Sequence, residues 1–231
     1  LGDVYKRQVG TFATNSRGQI VIPLTLAGNY TVYERQAPAG YLMSAEPAQN
    51  VKVEYGEQAT ITFENAPYGT LRVQKHSDTG MKLPGAMVQI EHIESGVTYS
   101  GETNYSGVAI FDQIKPGAYR VTEIAAPSGY IKSDEVFNAV VESGDTTEVA
   151  IVNEEKPGLR ILKYDSKTMQ ALPNISFEIF RDTQSLGVMK TDEFGEILLT
   201  DLEPGTYLVK EVATDPQHII NSNPQQIELS G

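Results

Sequence analysis

The feature that most constrains this chain is that it repeats. "YTVYERQAPAGY" at 30–41 returns as "YRVTEIAAPSGY" at 119–130, and "YLVKEVATDPQH" from 207 keeps the first half. The shared glutamates are Glu34, Glu123 and Glu211, separated by 123 − 34 = 89 and 211 − 123 = 88 positions. The turn Thr-Asn/Asp-x-x-Gly keeps the same period at Thr14–Gly18, Thr103–Gly107 and Thr191–Gly195. A Gly-x-Tyr hinge precedes each glutamate, at Gly28, Gly117 and Gly205. "LRVQK" (71–75) recurs as "LRILK" (159–163), and "ITFEN" (61–65) recurs as "VAIVN" (149–153). Chance matches would scatter, so the chain is a tandem array with a period of about 88 residues.

This period divides the chain into three. The middle unit, 69–155, is whole. The first, 9–66, lacks its opening strands, because a counterpart of Lys75 would fall ahead of Leu1. The third, 157–231, lacks its closing strand, because a counterpart of Asn153 would fall past Gly231. "APYG" (66–69) and "EEKPG" (154–158) are short joints, so neighbouring units are expected to be stiffly connected. The opening "LGDVYKRQ" fits no repeat position and is assigned no function.

Within the middle unit, strand-like runs fall at about 70–76, 86–93, 97–103, 107–112, 118–124, 136–142 and 147–153. Most are separated by turns bearing Gly, Asn, Asp or Pro. The 20 glycines and 12 prolines supply turns, while frequent Val, Ile, Thr and Tyr suit strands. No run has a helical period. Seven short strands in one unit predict an all-β chain of tandem β-sandwiches, the middle one complete and the outer two truncated.

The alternation along these strands places polar groups among apolar ones. Glu123 is in phase with Tyr119 and Val121, Lys75 with Leu71 and Val73, and Asn153 with Val149 and Ile151. In the outer units Lys163 follows Leu159 and Ile161, and Asn65 follows Ile61 and Phe63. A lone lysine or glutamate in an apolar interior costs several kcal/mol unless it is paired or neutral. Three such groups recurring together are therefore expected to meet.

Two outcomes are open to them. One is a buried Lys–Glu ion pair with a hydrogen-bonded asparagine. The other is chemical: burial lowers a lysine pKa and raises a glutamate pKa, giving a neutral amine nucleophile and a neutral acid. Lys75 Nζ could then attack the Asn153 side-chain carbonyl carbon while Glu123 polarises the oxygen and shuttles protons. Ammonia would leave and an amide cross-link remain, with no cofactor needed because the fold supplies proximity.

Composition narrows the alternatives. The net charge, 18 − 30 = −12, repels phosphate backbones and anionic lipid, so neither nucleic acid nor a membrane surface is an expected partner. No apolar run approaches 18 residues, so no membrane insertion is expected. With no cysteine there are no disulfides, thiol chemistry or cysteine-type zinc sites. His76, His92 and His218 share no metal-ligand spacing and do not recur. "TDEFGE" (191–196) hints at calcium, but the equivalent turns at Thr14 and Thr103 carry far less acid, so a hairpin turn is expected. No cofactor and no turnover chemistry are expected.

The middle unit resembles a collagen-adhesin B-type (Cna B-type) domain, as found in Gram-positive surface proteins and SpaA-like pilins. The resemblance covers nearly the whole chain after residue 8. Its most specific part is Y-x-V-x-E-x-x-A-P-x-G-Y, which resembles the pilin E-box at Tyr30, Glu34, Ala37, Pro38, Gly40 and Tyr41, and again from Tyr119 to Tyr130. "LPGAMVQI" (83–90) and "LPNISFEI" (172–179) resemble the family's second strand.

The resemblance implies a prealbumin-like or immunoglobulin-like sandwich holding a self-made Lys–Asn isopeptide bond assisted by a glutamate. Those roles carry over to Lys75, Asn153 and Glu123. Glu34 with Asn65, and Lys163 with Glu211, each match two thirds of the triad. At "TDPQHI" (214–219) the third unit departs from the pattern. A Leu-Pro-x-Thr-Gly anchor signal and the lysine-bearing pilin polymerisation motif are absent from this stretch.

Such a chain is expected to be an extracellular, cell-wall-associated stalk or spacer whose partners are its own neighbouring repeats. Closing a loop of 153 − 75 = 78 positions is worth about 4.5 kcal/mol on the chain-entropy model made for disulfides. The competing reading is an adhesin repeat that grips a host matrix protein such as collagen, or a glycan, through loops bearing tyrosines such as Tyr68 and Tyr105.

Overall fold

A computed structural model describes residues 8–23 and 26–230, so nearly all of the opening "LGDVYKRQ" lies outside the described residues. The chain gathers into two compact units, residues 1–66 and 67–231. All regular structure among the described residues is β.

In the first unit, β1 (Gly28–Tyr33) and β2 (Ala48–Val53) form an antiparallel ladder from Gly28↔Val53 to Tyr33↔Ala48. The recurrence of "ITFEN" with a strand-like alternation predicts a further strand at 61–65, and the structure has none there. The corresponding segment of the middle module is held by that module's first strand, and no described strand of the first unit offers such an edge.

The second unit holds two modules. The middle one is built from β3 (Gly69–Ser77), β4 (Met87–His92), β5 (Thr98–Glu102), β6 (Val108–Ile114), β7 (Gly117–Ala125), β8 (Val136–Val141) and β9 (Thr146–Asn153). These are the seven strands that alternation predicts, each within two residues of the expected bounds. They form two sheets, ordered β6-β3-β9 and β5-β4-β7-β8. The first and last strands lie side by side and parallel, from Thr70↔Thr146 to Ser77↔Asn153.

Alternate side chains of both sheets turn inward. Leu71, Val73, Phe111 and Ile151 from one meet Val88, Ile90, Tyr119 and Val121 from the other in a single core. Burial alternates without a break along β3. Lys75 therefore points into the core by the same geometry that points Leu71 and Val73 there.

The third module repeats this plan with β10 (Leu159–Leu162), β11 (Ser176–Arg181), β12 (Gln184–Lys190), β13 (Glu196–Leu199), β14 (Gly205–Ala213) and β15 (Gln225–Leu229). Its sheets are β10-β13 and β12-β11-β14-β15, matching the middle module except that nothing described lies where β9 would. Leu159, Ile175, Phe177, Ile179, Ile197, Tyr207 and Val209 form its core.

Candidate functional site

Lys75, Glu123 and Asn153 come from three strands in two sheets and meet inside the middle module. Lys75 is 0%, Glu123 5% and Asn153 2% exposed, so water is effectively excluded from all three. Lys75 Nζ lies 3.3 Å from Glu123 Oε1, within ion-pair reach but without hydrogen-bond alignment. Asn153 Nδ2 donates to Glu123 Oε2 at 2.8 Å and to the Ile131 carbonyl. The Ser133 backbone N–H donates to the same Oε2 at 2.7 Å. Asn153 Oδ1 is buried with no partner. Burial pushes the Lys75 ammonium below its ordinary value, and the Glu123 carboxylate opposes only part of that shift.

The sequence motifs place these groups. Lys75 N–H donates to Gly107 O at 2.7 Å, and a Cβ on Gly107 would stand 2.6 Å from Lys75 O. The last glycine of the Thr-Asn-x-x-Gly turn is thus a contact surface for the lysine's own backbone. Its first residue, Thr103, is buried, with Oγ1 donating to Leu83 O at 2.7 Å and accepting from Ala86 N at 2.9 Å. The turn closes itself through Asn104 Oδ1, which accepts from Ser106 N and Val108 N. The register of β4 on β7 shifts after Val88↔Glu123 to Met87↔Ala125, a bulge that ends alternation just past the glutamate. Before the glutamate, Tyr119 OH donates to Lys115 O at 2.7 Å and pins the hinge.

The outer triad members fall where the repeat predicts, each incomplete. In the first unit Asn65 Nδ2 donates to Glu34 Oε1 at 2.8 Å and to Leu42 O at 2.8 Å, while Ser44 N–H donates to Glu34 Oε2 at 2.7 Å. In the third module Lys163 Nζ donates to Glu211 Oε2 at 3.0 Å, and Asn221 N–H donates to that oxygen at 3.1 Å. Glu211 Oε1 is buried without a partner. A cleft of about 90 Å³ opens beside this pair, lined by Ile161, Lys163, Phe177, Val209, Glu211 and Asn221.

Three features escape a reading by alternation. One is the backbone donor to each glutamate, always ten residues on: Ser44, Ser133 and Asn221. The signal is present as a small polar residue at a fixed offset, but main-chain chemistry leaves no residue-type signature. The second is His218, whose Nδ1 meets Asp215 and whose Nε2 meets Asp165 Oδ2 at 2.9 Å, joining the departed E-box loop to the turn after Lys163. The third is the side of the asparagine that faces the glutamate. Polarisation of its oxygen is the sequence expectation, yet Glu123 contacts the nitrogen, because the amide NH2 is the donor an ionised carboxylate can accept from.

The rival chemistries find less. Among the described residues no three acidic or histidine side chains gather as a metal site. In "TDEFGE", Asp192 Oδ1 accepts from Phe194 N and Glu196 N, both at 2.9 Å, so the acid closes the expected hairpin turn. Tyr105 stands in solvent at the tip of the equivalent turn, and Tyr68 is half-buried.

The all-β fold agrees with the family that comparison with known proteins finds. No curated protein is significantly similar to this chain. Among solved structures, the Bacillus anthracis TIE protein is 29% identical over 88% of this chain and 40% of its own, with a TM-score of 0.44. A streptococcal ancillary pilin is 14% identical over 91% of this chain and 72% of its own, also at 0.44. The shaft pilin SpaA from Lactobacillus rhamnosus GG is 14% identical over 70% of this chain and 93% of its own, again at 0.44. This chain thus spans 40% of the TIE protein's length. The family described as "SpaA: Prealbumin-like fold domain" matches residues 2–67, 69–155 and 157–231, starting within the opening octapeptide that the repeat comparison leaves out. With the match tiling almost every residue, the chain belongs to the SpaA prealbumin-like fold domain family, as three of its domains in tandem.

Proposed function

We propose that this chain is a load-bearing segment of an extracellular, cell-wall-associated stalk, and that its middle module locks itself with a Lys75–Asn153 isopeptide bond. The observation that carries this reading is the dry meeting of Lys75, Glu123 and Asn153, in which each side chain keeps a buried polar atom without a hydrogen-bond partner. An interior arranged only for stability would satisfy those atoms or replace them with apolar groups.

Glu123 bridges the two ends of the reaction, with Oε1 at the attacking nitrogen and Oε2 at the leaving one. Starting from the ion pair, the Lys75 ammonium gives a proton to Oε1, and the free amine attacks Asn153 Cγ. The tetrahedral centre returns a proton through Oε2 to Nδ2, and the C–N bond to Nδ2 breaks. A further proton from the new amide nitrogen stays on the glutamate. The products are one secondary amide, one ammonia and one neutral glutamic acid, so atoms and charge balance. The event happens once per molecule, so the chain is no turnover enzyme and needs no cofactor.

The outer modules carry Glu34–Asn65 and Lys163–Glu211, two thirds of the same set in each case. The array reads as a series of such modules whose nearest partners are one another. Several of the similar structures are pilins, and the pilin or adhesin stalk is the setting this architecture suits. Intact-mass measurement of the purified chain tests the bond. The chain should weigh one ammonia less than its sequence, and Lys75→Ala and Glu123→Ala should restore the full mass; a wild-type chain of full mass would refute the cross-link.

A further inference from the structure

For Lys75 to reach Asn153 Cγ, the amide must be held with its nitrogen turned away, and the residues that hold it lie outside the triad. Asn153 Nδ2 has two protons and two acceptors, Glu123 Oε2 and the Ile131 carbonyl. The Ser133 N–H holds Oε2 in place. The turn bearing Ile131 and Ser133 is tied to the asparagine's own strand end: Ile131 N–H donates to Glu154 O at 2.9 Å, and Tyr130 bridges Glu155. The frame therefore rests on β9 and the loop after β7, with no help from Lys75.

The first unit repeats this frame, and among the described residues no lysine pairs with its glutamate. Asn65 Nδ2 has Glu34 and the Leu42 carbonyl as acceptors, and Ser44 N–H secures the glutamate. One detail differs. There, asparagine and backbone use separate glutamate oxygens. In the middle module both use Oε2, which leaves Oε1 facing Lys75.

We propose that the 131–133 turn is a positioning element that selects asparagine as the acceptor: it accepts an NH2 group, orients Cγ toward Lys75, and rejects an ionised aspartate. This rests on the cross-linking reading above. An aspartate at 153 would set its oxygens against the Ile131 carbonyl and the Glu123 carboxylate with no proton to offer either, and a buried acceptor facing acceptors is unsatisfied. Ser133 acts through its main chain, so its side chain is dispensable.

The full chain and its variants are followed by intact mass near neutral pH. Asn153→Asp should keep its full mass, Ser133→Ala should cross-link at the wild-type rate, and Ser133→Pro, which removes the N–H, should slow the reaction about a hundredfold through misplacement of the amide. Loss of one water from Asn153→Asp at the wild-type rate, or an unimpaired Ser133→Pro, overturns the proposal.

A second measurement separates this from the parent reading. In ¹⁵N-labelled Lys75→Met, which cannot cross-link, both Asn153 side-chain NH2 protons should exchange far more slowly than those of the exposed Asn104. Exchange as fast as Asn104 overturns the positioning role whether or not the wild type loses ammonia. Slow exchange in a chain whose wild type keeps full mass would support the frame and sink only the bond.

Discussion

Gly107 and Lys75 share one space: the carbonyl of the lysine occupies the place where a side chain on the glycine would begin, 2.6 Å from a built Cβ. Gly107 also sits at φ +71°, the left-handed region. The neighbouring Gly80 has a similar φ of +85° with nothing within 4 Å of its Cβ position. Gly80→Ala should therefore cost only the conformational strain, about 1–2 kcal/mol. Gly107→Ala should cost more, because the turn must move off β3 and displaces Lys75 as it goes. Thermal unfolding of the two variants side by side checks the order, and the Gly107 variant should also show delayed ammonia loss.

Thr103 tests the hydrogen-bonding half of the same turn. Its hydroxyl serves a carbonyl and an N–H in a dry place. Thr103→Val keeps the shape and strands both, at about 1–3 kcal/mol for each group left unsatisfied. Thr103→Ser should recover most of the loss. Thr191, bonded alike to Leu172 O and Ile175 N, should give the same pattern in the third module. Chemical denaturation midpoints at unchanged slope are the readout.

Burial lowers the Lys75 pKa from its ordinary value near 10.5, so folding releases a proton between the lowered value and 10.5. In that window the unfolded chain binds more protons than the folded one, and stability rises with pH. The effect belongs to the free amine. It should appear in Asn153→Ala, which retains the lysine uncross-linked, and vanish in Lys75→Met. Tyr119, pushed up to about 12 by burial, works in the opposite sense above pH 10. The comparison is therefore made below that, as the difference in denaturant midpoint between the two variants.

The His218 link should give the third module a pH optimum. Hydrogen bonds donated to Asp215 and Asp165 hold the His218 pKa above 6.5, so its contribution is full below 6.5 and is lost as pH rises through the raised value. Both carboxyls are held below 3.8, Asp215 chiefly by His218 and Asp165 first by the Thr168 N–H. Their contribution is present above 3.8 and fades as pH falls further. Protection of the 214–220 backbone from hydrogen exchange should peak between these limits. His218→Gln should flatten the profile while leaving the middle module unchanged.

Alternation along a strand proved sufficient to aim Lys75, Glu123 and Asn153 inward, because a pleated strand leaves a side chain only two directions. It could not say which atom of Asn153 meets Glu123, since that depends on the Ile131 carbonyl and Ser133 N–H, groups that every residue carries. Nor could it join His218 to Asp165, 53 positions apart, where no repeat partner exists to give a second reading. Residues 61–65 failed differently: their alternation is intact, but a strand is a relation between two segments, and pattern in one does not supply the other.

The parallel pairing of β3 with β9 fixes how the middle module answers a pull. The polypeptide arrives at one pole, at Gly69, and departs from the other, at Asn153, along neighbouring strands that point the same way. In a chain without the Lys75–Asn153 bond, drawing the two ends apart slides one strand along its neighbour, so the rungs from Thr70 to Ser77 must yield together. Antiparallel neighbours pulled from one shared end would part like a zipper, rung after rung.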